Sequence, residues 1–108
     1  MDNSSFTLVF GNSPFVRILD FFLTFEDFDY PTSQIAKETE MKWETAEAVI
    51  KILLKKKIIQ KTRKVGKADL YSLNKKSDVT KLLIETDLKI SDFFIKKELE
   101  RQKAKIVA

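Results

Sequence analysis

Between Trp43 and Leu73 the hydrophobic pattern changes period once. Ala46, Val49, Ile50, Leu53 and Leu54 fall at i, i+3, i+4, i+7 and i+8, so a helix from Trp43 to about Lys56 carries one apolar stripe that must face a core. From Ile58 the pattern is that of strands, and Ile58 to Val65 and Ala68 to Leu73 read as a hairpin turning at Val65-Gly66-Lys67. Gly66 is one of only two glycines and stands where a hairpin tip requires positive φ. Upstream, Thr32 to Thr39 reads as a short helix with Ile35 and Ala36 inward and Lys37 and Glu38 outward. Only Glu40-Met41-Lys42 separates it from the longer helix, which makes the pair a helix-turn-helix unit.

The flanks complete the order. Ser5 to Phe10, with Phe6, Leu8 and Phe10 alternating, reads either as a strand or as the lead-in to a first helix. Gly11-Asn12-Ser13-Pro14 is a helix start, with Asn12 or Ser13 as the cap and Pro14 in the first turn. The helix that follows puts Phe15, Ile18, Leu19, Phe22 and Leu23 on one face, with Arg17, Asp20 and Thr24 outward, and ends in the acidic aromatic loop Phe25 to Tyr30. After the hairpin, Ser77 or Asp78 caps a helix carrying Val79, Leu82, Leu83 and Thr86, and a last helix begins near Ser91. The fold class is mainly α (α+β): a winged helix-turn-helix with a two-stranded basic wing and C-terminal helices. Residues 1–76 form the core, and 77–108 are a helical segment of the same domain expected to serve as its dimerisation element.

At 108 residues the chain is one ordinary domain. With neither Cys nor His, it has no thiol nucleophile, imidazole base, disulfide or ordinary zinc site. There is no Gly-rich phosphate loop, nucleophile elbow or paired-carboxylate motif, so no enzyme and no cofactor are expected. The Glu26-Asp27-Asp29 cluster is the sole conceivable metal site and reads as a solvated loop, so no metal is expected. The opening Met-Asp-Asn-Ser-Ser has no basic leader, and Phe15 to Phe25 is too short and too charged to span a membrane. A cytoplasmic location away from membranes is expected.

The formal net charge of +4 conceals polarity. Residues 1–50 hold three cations against nine acids, a balance of −6, whereas residues 51–76 hold nine Lys and Arg63 against Asp69 alone, a balance of +9. Such a block is the electrostatic footprint of phosphate contact. The strings Phe10-Gly11-Asn12-Ser13-Pro14, Val16-Arg17-Ile18-Leu19-Asp20-Phe21, Ile35-Ala36-Lys37-Glu38 and Arg63 through Asn74 resemble archaeal winged-helix transcriptional regulators of the MarR-like kind, over residues 6 to about 90. The resemblance implies binding to double-stranded DNA, usually as a homodimer. The second helix of the unit then enters the major groove and the wing lies along the backbone or minor groove. That family tends to have a Gly near Lys57, and its replacement here implies a less sharp exit from the helix.

On the wing, Lys61 and Arg63 are expected on one strand face and Lys64 on the other, with Lys67 after the glycine. The charge density favours phosphate or minor-groove contact over mere protection of an edge strand. Tyr71 and Leu73 are expected to pack beneath it. The recognition helix presents Lys42, Trp43, Glu44, Glu47, Lys51 and Lys55. Glu44 and Glu47 either read cytosine amino groups or serve the helix dipole and a surface pair with Lys51, and ordinary surface chemistry favours the second. Trp43 either packs on DNA or closes the junction between the helices, the commoner role for so large a ring. Ile90, Phe93, Phe94 and Leu99 form a stripe that either joins two copies, with Phe6, Leu8 and Phe10 nearby, or folds back on Phe15 or Phe22. The leading expectation is a DNA-binding regulator; the rival is a winged-helix module that docks a protein through its acidic face. No effector pocket is legible.

Overall fold

A computed structural model describes residues 4–107; Met1 to Asn3, the part of the opening read as lacking a leader, and Ala108 lie outside the described residues. The elements are α1 (Ser5–Phe10), α2 (Pro14–Thr24), β1 (Tyr30–Pro31), α3 (Thr32–Glu38), α4 (Trp43–Lys55), β2 (Ile59–Val65), β3 (Ala68–Leu73) and α5 (Asp78–Val107). The sheet is antiparallel in the order β1-β3-β2. The expected helix-turn-helix and wing are therefore present, with β1 as a third strand out of the acidic loop.

The open choices at the N-terminus are resolved by hydrogen bonding. Ser4 Oγ accepts from the Thr7 N–H at 3.2 Å, so residues 5–10 start as a helix; Ser13 Oγ accepts from Val16 N–H at 3.3 Å, with Pro14 in the first helical position. The alternation of Phe6, Leu8 and Phe10 is thus not a strand: Phe6 is buried while Leu8 and Phe10 are exposed.

The α2 helix corrects the single-face expectation. Six consecutive residues, Ile18 to Leu23, are buried, including Asp20. The reason is position: α2 touches α1, α4, α5 and β3, so neighbours cover the side that the sequence pattern leaves polar. Burial raises the Asp20 pKa, partly offset by a hydrogen bond from Ser4. Asp87 on α5 is raised too, by burial and then by the charges of Asp20 and Glu26. Arg17, also expected outward, reaches over the C-terminus of α3 and donates to the carbonyls of Thr39 and, at 2.9 Å, Glu40.

Core packing fixes α4. Its buried Ala46, Val49, Ile50 and Leu53 join Ile18, Phe22 and Ile35 in one cluster, which matches the stripe read from the sequence. Both helices of the unit end alike. The N–H groups of Glu40 and Met41 return to the carbonyls of Lys37 and Ala36, and those of Lys57 and Ile58 return to Leu54 and Leu53. Each is a Schellman closure with a non-glycine residue in the left-handed position, Glu40 at φ 55° and Lys57 at φ 61°. The exit at Lys57 is therefore as sharp as a glycine would make it, contrary to the softer exit implied by the missing Gly, and its cost is backbone strain.

The C-terminal region is one helix of 30 residues, not two meeting near Ser91. Ser91 continues it because no Pro or Gly interrupts 78–107. Of the apolar positions read at helical spacing, Val79 and Leu82 are exposed. Thr80 is buried and donates to the Ile58 carbonyl at 3.1 Å, and Leu83 and Ile84 pack on the core.

Two outcomes follow. Lys57→Gly removes left-handed strain and raises the unfolding free energy by about 1 kcal/mol, measured by urea denaturation. Asp20→Asn raises Tm at neutral pH. The native Asp20 pKa lies above its unfolded value, so the penalty is present while the carboxylate is ionised and fades as pH falls through that raised value toward the unfolded one; the two melting curves converge in acid.

Candidate nucleic-acid interface

With the α4 stripe buried, the opposite side of the helix is a line of Glu44, Ala48, Lys51 and Lys55, with Trp43 and Glu47 on the flank toward the wing. An open recess of about 520 Å³ lies between that flank and the wing, walled by Trp43, Val65 and Tyr71, with Pro31, Thr32 and Ser33 at one edge. Trp43 is 47% exposed on this wall, so it does not close the helix-helix junction as ring size favoured. Tyr71 is half-buried against the core and Leu73 is buried, as expected beneath the wing.

The wing is not the flat ladder its alternation suggests. Lys61 pairs with Tyr71 and Arg63 with Leu70, leaving Thr62 as the extra residue of a β-bulge. Residues paired across a ladder share a face, so the bulge moves Lys64, opposite Asp69, onto the same face as Lys61 and puts Arg63 on the other. This reverses the expected grouping of Lys61 with Arg63.

Each group then meets a carboxylate. Asp69 lies 3.3 Å from Lys61 Nζ and 3.5 Å from Lys64 Nζ; burial works against its charge, but the two ammonium groups prevail and hold its pKa below the usual range. Arg63 donates to Asp29 from Nε at 2.9 Å and from Nη2 at 3.2 Å, and Thr62 Oγ1 donates to the same carboxylate at 2.5 Å. The Arg63 hydrogen bond, followed by that of Thr62, depresses the Asp29 pKa. Lys75 lies 3.0 Å from Asp27 and 3.6 Å from Glu26. The acidic loop is thus not simply solvated: all three of its carboxylates face cations of the wing or its exit, which also engages every acid of the conceivable metal cluster.

On α4, Glu47 and Lys51 pair at 3.1 Å, the surface role favoured for them. Lys42, Lys55 and Lys67 are exposed and have no ion pair among the described residues. Thr62, and the pairing of Asp29 with the wing, escape sequence reading, since a bulge and a contact across 34 positions leave no local signal.

The expected dimer residues divide. Ile90, Phe93 and Phe94 line an open apolar depression of about 300 Å³ with Val9 of α1, whereas Leu99, at roughly 100° per residue, lies on the opposite side of α5 with Leu88, Ile95 and Ile106. Phe94 is half-buried and Phe93 exposed, and the depression they line is shared with Val9 of α1 rather than with Phe15 or Phe22 of α2. No helix among the described residues is long and apolar enough to cross a membrane.

No protein-family model and no curated protein matches the chain. Solved structures do. MepR, a transcription regulator of the Staphylococcus aureus multidrug efflux pump MepA, aligns with a TM-score of 0.64 at 17% identity, covering 88% of this chain and 74% of its own. A variant of S. aureus MepR bound to oligodeoxyribonucleotide aligns at 0.66 and 16% identity, covering 95% and 80%. The homodimeric winged helix-turn-helix DNA-binding domain of a possible ArsR-family regulator from Mycobacterium bovis aligns at 0.59 and 18%, covering 86% and 81%. Helix-turn-helix, bulged hairpin and these likenesses together make the fold of this chain a winged helix-turn-helix.

Proposed function

We propose that the chain binds double-stranded DNA as a homodimeric transcriptional regulator of MarR-like type, without catalytic activity and within the cytoplasm. The observation that carries this is the placement of Lys42, Lys55 and Lys67, exposed and without ion pairs among the described residues, on the recognition helix and wing tip that flank one open recess. A neighbour of the same fold is bound to oligodeoxyribonucleotide and another is homodimeric. The protein-docking alternative is weakened, because Glu47 of the acidic face is paired within the helix by Lys51 and only Glu44 is left of it.

In this reading α4 enters the major groove and the wing follows the backbone. Lys42, Lys55 and Lys67 meet phosphates directly, and Trp43 packs on a sugar edge. Lys51, Lys61, Arg63 and Lys64 reach phosphates by exchanging their carboxylate partners, so phosphate replaces Asp69 or Asp29 as the counter-charge. Residues 1–76 form the DNA-binding core, and 77–108 supply α5, whose Ile90, Phe93 and Phe94 join two copies alongside Val9; Leu99 stands outside this contact.

Titration with random duplex DNA over a salt series tests the function. Affinity falls steeply with salt, and Lys55→Ala and Lys67→Ala each weaken binding to all sequences and lower the slope of log K against log salt by about one. Asp69→Asn does the reverse, since it releases Lys61 and Lys64. Absence of duplex binding at low salt overturns the proposal. Sedimentation tests the assembly: the wild type is a dimer and Phe93→Glu, at an exposed position, is a folded monomer.

A further inference from the structure

Two carboxylates stand on the exposed side of α4, and their surroundings differ. Glu47 is held by Lys51 at 3.1 Å. Glu44, one turn earlier on the outermost line, is exposed, and no ion pair or hydrogen bond reaches its side chain among the described residues. Ala48 follows it on that line and offers only a methyl group, which lets the helix come close to whatever it enters. An unpaired acid on a face that approaches phosphates costs affinity unless a donor waits opposite it.

Resting on the proposal that α4 lies in a major groove, we infer that Glu44 accepts a hydrogen bond from the 4-amino group of a cytosine and so sets base preference at one position of each half-site. Guanine and thymine present acceptors to that groove and repel a carboxylate. Adenine presents an amino group, but its N7 acceptor lies beside it and opposes the second carboxylate oxygen. Cytosine alone presents a donor without an adjoining acceptor on the same base. Glu44 thus works mainly by exclusion: three bases leave a desolvated carboxylate facing acceptors, and one satisfies it. The role in the helix dipole, which Glu44 also fills from the first turn, does not depend on the base opposite.

Selection of bound sequences from a randomised duplex pool tests the inference, run in parallel on the full-length wild type, Glu44→Ala and Glu44→Gln at one salt concentration. The wild type yields a motif in which one position of each half-site prefers a C·G pair by about tenfold. Glu44→Ala binds random duplex at least as tightly but relaxes that one position from about tenfold to about twofold discrimination. Glu44→Gln shifts the position toward adenine, whose N6 and N7 a Gln amide engages together. The residue is exposed, and melting curves verify that both variants are folded. The same motif from all three proteins overturns the inference and leaves Glu44 as a dipole partner only, as does a wild-type motif in which no position prefers a C·G pair. If the wild type binds no duplex at all, both this inference and the proposed function fall.

Discussion

Burial of the α4 stripe is the constraint on which the remaining geometry depends. Once Ala46, Val49, Ile50 and Leu53 are set against Ile18, Phe22 and Ile35, the rotation of the helix is fixed and the residues it shows to the outside are decided. The Schellman closure at Lys57 then fixes the direction of the chain as it leaves. Ile58 and Ile59 are drawn into the same core, and the Ile58 carbonyl accepts from both the Asn74 N–H and Thr80 Oγ1. One peptide group thereby ties the start of the wing to its end and to the first turn of α5. The angle between α4 and the wing is thus a product of the core, and so is the recess between them.

Charge imposes the second constraint. A hairpin with Lys61, Arg63, Lys64 and Lys67 repels itself, and repulsion is relieved in folding by bringing acids from elsewhere. Asp69 comes from the facing strand and Asp29 from the loop after α2, so the acidic first half of the chain and its basic second half meet at the wing. The bulge at Thr62 makes this division workable: without it Arg63 would stand opposite Asp69, and Asp29 would lose its guanidinium partner. These pairs are exposed, so their contribution to stability is small. Their larger effect is to offset the mutual repulsion of the wing cations in the folded chain.

Much of this was legible in the residues. The stripe of α4, a helix cap at Asn12 or Ser13 before Pro14, the glycine of the wing turn and the helix-turn-helix all follow from local chemistry; the structure agrees with them and selects Ser13 as the cap. What was not legible shares a physical origin in contacts between distant segments. Asp20 looks outward on its own helix and is buried because α1 and α5 cover it. Ser5 to Phe10 is too short for period alone to separate strand from helix, and a serine cap decides it. The single α5 looks like two helices in sequence because the apolar positions around Ser91 change face, as Ile90 and Leu99 do, while nothing in the backbone breaks. The missing glycine at Lys57 implies a softer exit, but the core enforces a sharp one, since burial of Ile58 outweighs the strain of one left-handed residue.

The pairing of wing cations bears on how affinity and selectivity divide in the proposed complex. Cations already matched by carboxylates release less free energy on meeting phosphate, because part of the electrostatic gain is spent on separating them from Asp29, Asp69 and Glu47. Non-specific grip per subunit is then set largely by Lys42, Lys55 and Lys67. A weak sequence-independent term lowers the background against which base contacts are read, and a second subunit restores total affinity by making the second half-site contact intramolecular. A face that mixes acids with cations therefore suits a binder that gains occupancy from dimerisation and discrimination from what α4 refuses to approach.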